Sequence, residues 1–174
     1  MMRLLITLLC LVSPLSAAFA VGPPLAQKPL LLQIQRLTDL LRDSQAVGYP
    51  NATMAQAIEL QSGRQLVLAV FTIEGFGGGN NHSQFLAAFE TDTETKPTHY
   101  RLLDVIKVAG KGWRGIEKLN ARVLQAPKSQ DIRVEIDALE VGPDDPPNFP
   151  SIKTVVRLVI SKGRLTEIES KSSP

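Results

Sequence analysis

Leu66-Val67-Leu68-Ala69-Val70-Phe71-Thr72-Ile73 is apolar at every position but Thr72. A strand shows alternate side chains to opposite faces, so an apolar run without alternation reads as a strand buried on both. That excludes a single-layer sheet with one wet side here. The run calls for a central strand of an antiparallel sheet, with a helix or a second layer over its other face.

A helix that suits the task lies upstream. Pro29 fits the first helical position, where its missing N–H costs nothing. Leu30, Ile34, Leu37 and Leu41 recur at helical spacing, widened by Leu31 and Leu40, while Gln33, Arg36, Asp39, Arg42 and Asp43 populate the other side. Gly48 is the natural stop before Tyr49-Pro50-Asn51, so the expected helix covers residues 29–46. Its polar face mixes signs, which fits packing on a core better than lying on a membrane.

The remainder reads as antiparallel hairpins. Residues 53–61 and 64–74 turn at Ser62-Gly63, which sets Ile58 opposite Val67 and Met54 opposite Phe71. Residues 83–91 and 98–109 pair Phe89 with Tyr100, Leu86 with Leu103 and Glu90 with His99. Residues 116–125 and 132–141 pair Val123 with Val134, Ala121 with Ile136 and Leu119 with Ala138 on one face. Arg122 then meets Glu135, and Asn120 meets Asp137, on the polar face of this half-buried hairpin. Residues 142–150 form a proline-rich loop that cannot join a ladder. Residues 151–161 and 164–169 turn at Lys162-Gly163. The expected fold class is α+β or mainly β. One N-terminal amphipathic helix packs on an antiparallel meander sheet, or incomplete barrel, of about seven or eight strands.

The first twenty residues read as a cleavable secretory signal. Arg3 precedes the apolar run 4–12, and Ala18-Phe19-Ala20 is a small-residue cleavage site, leaving Val21 as the new N-terminus. The apolar run is too short to span a bilayer, and no second span follows. Cleavage also removes Cys10, the only cysteine, so stability must come from the apolar core without disulfides. The expected location is exported, periplasmic or extracellular, and bacterial rather than eukaryotic. The expected organisation is a leader 1–20, an extended segment 21–28, one domain 29–170 and a polar tail 171–174. With 18 Lys and Arg (all 19 except Arg3) against 17 Asp and Glu, the mature chain lacks the electrostatic footprint of a nucleic-acid binder.

The segment most open to a functional reading is Glu74-Gly75-Phe76-Gly77-Gly78-Gly79-Asn80-Asn81-His82. Its glycines at 75, 77 and 79 do not match the G-x-G-x-x-G spacing of a dinucleotide loop, and no β–α alternation follows. A hairpin loop using glycine for positive φ is the plain account. As a recognition loop, it would offer Phe76, which a core would hardly reach, together with Asn80, Asn81 and His82, and would be slack until bound. His82, His99, Glu90 and Asp92 match no metal-ligand spacing, and His82-Ser83 lacks a nucleophile elbow and a third member. Lys107, Lys111, Arg114, Lys118 and Arg122 make a basic stretch around Trp113, which with Arg114 suits a protein partner or an anionic glycan.

The expected function is therefore an exported, non-enzymatic binding protein without cofactor or metal. It would recognise its partner through Phe76, Asn80, Asn81, His82, Trp113 and Arg114. The architecture is similar to that of small exported β domains with a glycine-rich loop, such as periplasmic lysozyme inhibitors and toxin-immunity proteins. That similarity implies an inhibitor- or immunity-like role by analogy of fold alone. The alternative is a carrier of an apolar small molecule or lipid in a cavity between sheet and helix. A hydrolase without a recognisable motif is the third reading.

Overall fold

The computed structural model describes residues 28–60, 64–92, 98–124 and 130–168. The leader 1–20, the segment 21–27 and the tail 171–174 lie outside the described residues, whereas Lys28 already belongs to the helix.

Helix α1 (Lys28–Leu41) buries Leu30, Ile34 and Leu37. It ends five residues before the expected 46, because Asp43 takes over the backbone there. Asp43 Oδ1 accepts the N–H groups of Gln45 at 2.9 Å and Ala46 at 2.7 Å, a local turn that competes with helix continuation. Gly48 is not the helix stop but a residue of the first strand. A Cβ built on it would stand 2.5 Å from Thr38 Cγ2, so this glycine lets the strand approach the helix.

Among the described residues nine strands follow: β1 (Val47–Glu59), β2 (Gln65–Glu74), β3 (His82–Asp92), β4 (His99–Gly110), β5 (Arg114–Gly115), β6 (Ala121–Leu124), β7 (Ile132–Glu140), β8 (Ile152–Ser161) and β9 (Arg164–Glu167). Every pairing is antiparallel, in the order β1-β2-β3-β4-β5-β7-β8-β9, with β6 beside β7. The ladder does not close, but the sheet curls until its far strands meet across two seams bridged by side chains. At one seam Leu165 N–H of β9 donates to Asp104 Oδ2 of β4 at 3.0 Å. At the other, the Gln56 amide of β1 donates to Ala121 O at 2.9 Å and accepts from Ala121 N–H at 2.8 Å.

The doubly apolar run becomes β2, whose residues Leu66 to Ile73 are all buried. Leu66, Leu68 and Val70 face the inside of the curled sheet with Leu86, Val108, Val134, Ile136, Val156, Leu158 and Ile160. Val67, Ala69, Phe71 and Ile73 face outward and are covered by Leu30, Ile34 and Leu37 of α1, with Phe89 and Tyr100 alongside. The two-layer requirement is thus met from both sides.

Registers agree with expectation where the turn is simple and depart where it is not. Val123 meets Val134, Ala121 meets Ile136 and Arg122 meets Glu135, as expected. Of the expected strand 116–125, however, only Ala121–Leu124 forms among the described residues, and Leu119 does not pair with Ala138. Residues 116–120 leave the ladder because Gln84 and Gln56 bind the backbone at its two ends. Gln84 brackets Ile116 as Gln56 brackets Ala121, donating at 2.9 Å and accepting at 2.7 Å. Asn120 keeps its expected partner through a side-chain bond to Asp137 at 3.0 Å.

The first hairpin is one residue off. Ile58 stands opposite Leu66 and Met54 opposite Val70, because Leu60 N–H bonds Arg64 O at 2.8 Å and encloses three residues instead of two. A slip of one exchanges the faces, and it delivers Ile58 to the interior with Leu66. In the β3–β4 pair Phe89 meets Leu102 and Glu90 meets Arg101, not Tyr100 and His99. The register is already two residues off where Asp92 meets His99, and the irregularity at Ala88/Phe89 adds one more β4 residue, so Leu86 meets Ile106.

Candidate functional site

Three connections converge at one end of the curled sheet: residues 75–81 between β2 and β3, 111–113 between β4 and β5, and 141–151 between β7 and β8. The first uses its glycines for backbone geometry. Gly75, Gly77 and Gly78 have φ of 85°, 65° and 74°, values that side-chain-bearing residues rarely adopt. Gly75 N–H donates to Asn81 O at 2.7 Å, Gly78 N–H to Gly75 O at 2.9 Å, and Gly77 N–H to Asp43 Oδ2 at 2.9 Å. Asp43 therefore staples the glycine loop to the turn after α1. The Gly77 N–H, then those of Gln45 and Ala46, hold its carboxyl below the ordinary 3.8. The slack expected of a glycine run is taken up by these bonds.

Phe76 differs from expectation in its surroundings. It packs half-buried against the cluster shared by α1 and β2, with its carbonyl accepting from Asn81 Nδ2 at 3.4 Å. A core does reach it, because α1 ends early and the Asp43 turn brings the loop down onto that cluster. Asn80 and Asn81 stay exposed, and Asn80 Oδ1 bonds the Lys111 ammonium of the neighbouring connection.

Lys111 N–H donates to His82 O at 3.2 Å and Gly112 N–H to Pro147 O at 2.8 Å, so the short turn is tied to both longer connections. Trp113 is 41 % exposed, with the Arg114 guanidinium 4.0 Å from its ring centroid. Arg114 itself is only 5 % exposed. It forks onto Glu167 at 2.7 and 2.6 Å and donates to the Val108 carbonyl, so it serves the fold and props up Trp113 from beneath.

The third connection is organised by Asp145. Its Oδ2 accepts Gly142 N–H and Ser151 N–H, each at 2.8 Å, and its Oδ1 accepts the Ser151 hydroxyl at 2.9 Å. The Gly142 N–H is the main reason its carboxyl lies below 3.8. This loop presents Phe149, 70 % exposed, beside Asn148. Two shallow hollows share His82 and Asn148 as lining. One of about 480 Å³ reaches Asn80 and Val47, and one of about 140 Å³ reaches Gln84 and Pro150.

All six residues singled out in the sequence thus gather at this end. Asn80, Asn81, His82 and Trp113 line or crown it, while Phe76 and Arg114 support it from below. Asn148 and Phe149 were missed, and Lys111 was named only as a member of the basic stretch. The one available signal was an aromatic residue inside a proline-rich loop, which reads equally well as a connector.

The basic stretch is broken up by local partners. Arg114 is taken by Glu167, Arg122 bonds Asp137 at 2.8 Å and approaches Glu135 at 3.7 Å, and Lys111 holds Asn80. His82 and His99 stand at opposite ends of the β3–β4 hairpin, since Ser83 pairs with Gly110 and Asp92 with His99. Among the described residues no group of three or more His, Cys, Asp or Glu is placed to hold a metal ion. Adjacent strand residues point to opposite faces, so His82 and the buried Ser83 are not arranged as a base and its nucleophile. The helix–sheet interface is filled by side chains, and beside it lies an open groove of about 370 Å³. No helix of the described residues is long and apolar enough to cross a membrane. No protein-family model, curated protein or solved structure matches the chain.

Proposed function

We propose that this is an exported, periplasmic binding protein that recognises a protein partner through the end of the curled sheet formed by residues 75–82, 111–114 and 141–151. The observation that carries the reading is the convergence of three braced connections on Trp113, Phe149, Asn80, Asn148 and His82. Aromatic anchors dominate protein interfaces, and amides beside them supply directional bonds. Bracing by Asp43 and Asp145 lowers the ordering cost that a free loop would have to meet on binding. An inhibitor- or immunity-like role fits such a preformed edge, because an enzyme cleft is filled by a rigid convex element more readily than by a slack one.

The test compares capture of periplasmic proteins by the mature wild type and by a Trp113→Ala/Phe149→Ala double variant. One protein should be retained by the wild type and lost from the double variant, with a similar melting temperature for both. Equal capture by both removes the loop end as the recognition surface.

A further inference from the structure

The opposite end of the curled sheet is a mouth of a different kind. A hollow of about 670 Å³ opens there over Leu60, Leu66, Leu103, Ile132 and Ile160. All but Leu103 are buried members of the interior cluster, so the floor of the hollow is the top of the apolar core itself. The volume falls within the 300–1,000 Å³ or so typical of small-molecule sites.

The wall carries charge in a specific arrangement. Glu90, 17 % exposed, accepts from Arg64 on one carboxylate oxygen and from Arg101 on the other. Among the described residues Lys162 and Asp131 complete the charged lining, three cations against two carboxylates. Arg101 keeps 62 % of its side chain in solvent, and Glu90 engages one nitrogen of its five-donor fork. A guanidinium oriented by a carboxylate at the edge of an apolar floor matches a ligand with an anionic, bidentate head and an apolar tail.

We infer that this mouth binds a single-chain carboxylate, with its head on Arg101 and its tail over Leu103, Ile132 and Ile160. The site lies at the end remote from the partner-binding surface and does not depend on it. The groove beside α1, with Leu31, Leu32 and Tyr49 in its lining, is the competing location for an apolar chain. Among the described residues its lining has Lys28 as cation and Asp39 as acid, and no arginine to fork onto a carboxylate.

The experiment titrates the mature protein calorimetrically with octanoate, butanoate and octan-1-ol below their aggregation limits. The wild type should bind octanoate in preference to the other two, since butanoate lacks the tail and octanol the charge. Arg101→Gln should weaken octanoate about tenfold, the scale of one charge-assisted bond, and leave octanol unchanged. Leu32→Glu, in the competing groove, should change neither. Absence of octanoate binding overturns the inference, as does equal affinity for octanol, or binding lost in Leu32→Glu but kept in Arg101→Gln. Arg101→Gln should still capture the periplasmic partner, which separates failure of this site from failure of the other.

Discussion

At the loop end Arg114 is 5 % exposed and its donors are spent on Glu167 and the Val108 carbonyl, whereas at the mouth Arg101 keeps most of its side chain in solvent and shares Glu90 with Arg64. The same contrast runs through the backbone. Around Arg114 the first connection is tied to the turn after α1 by Asp43, the third is closed on itself by Asp145, and Lys111 and Gly112 join the second to both, while the mouth sets two arginines on one carboxylate over an apolar floor. A buried ion pair withstands its desolvation only if nearly every donor and acceptor is matched, which makes it rigid and hard to exchange. An exposed pair contributes little to stability and can trade its partner for a ligand. On the proposed reading, one end presents a fixed surface and the other accepts a ligand.

The comparison is broken most severely at Arg114. Arg114→Ala strands Glu167 and the Val108 carbonyl and should cost about 3 kcal/mol, the low end of the range for breaking a buried pair because Glu167 keeps some exposure. A denaturant midpoint close to wild type would show that the fork is dispensable. Phe76→Ala comes next. As a half-buried aromatic on the α1 cluster it should cost roughly 1–2 kcal/mol, less than a fully buried phenylalanine. A negligible loss of stability would return Phe76 to the recognition surface.

A milder break comes from acid. The carboxyls of Asp43 and Asp145 titrate below 3.8 in the folded chain, held there chiefly by the N–H groups of Gly77 and Gly142. Folded values below the unfolded ones mean stabilisation that is complete above that pH and fades as pH falls through the lower folded values. Fluorescence of Trp113, the only tryptophan, should therefore change in that acid window, and Asp145→Asn should remove part of the change. A flat signal to lower pH would mean that these bonds do not hold the loops. The smallest effect is expected at the mouth, where Arg101→Gln should shift stability by less than about 0.5 kcal/mol.

How much of this was legible in the sequence follows the physics of each element. The run 66–73 demanded two covering layers, and α1 and the interior supply them. The β6–β7 register could be read because apolar and polar pairs segregate cleanly across it. The first hairpin could not, because a three-residue enclosure and a two-residue turn differ only in the bond from Leu60 to Arg64. The departure of 116–120 from the ladder depends on Gln56 and Gln84, two polar residues in otherwise ordinary strands, whose partners lie far away in sequence. At the site, glycine and aromatic content marked the 75–82 and 111–114 segments. Which of their side chains turn inward was set by Asp43 and Glu167, and nothing local announces either. Phe149 was hidden in a loop whose prolines speak only of turns.

Backbone hydrogen exchange on the mature protein, free and with the captured periplasmic partner bound, tests the central claim most directly. In the free protein the amides of Gly75, Gly77 and Gly78 should already exchange slowly for a surface loop, since each donates to Asn81, Asp43 or Gly75. On binding, added protection should fall on residues 75–82, 111–114 and 141–151 and spare residues 101–103 and 160–163. Protection gained at the mouth or along α1, with the three connections unchanged, would contradict the assignment of recognition to the braced end.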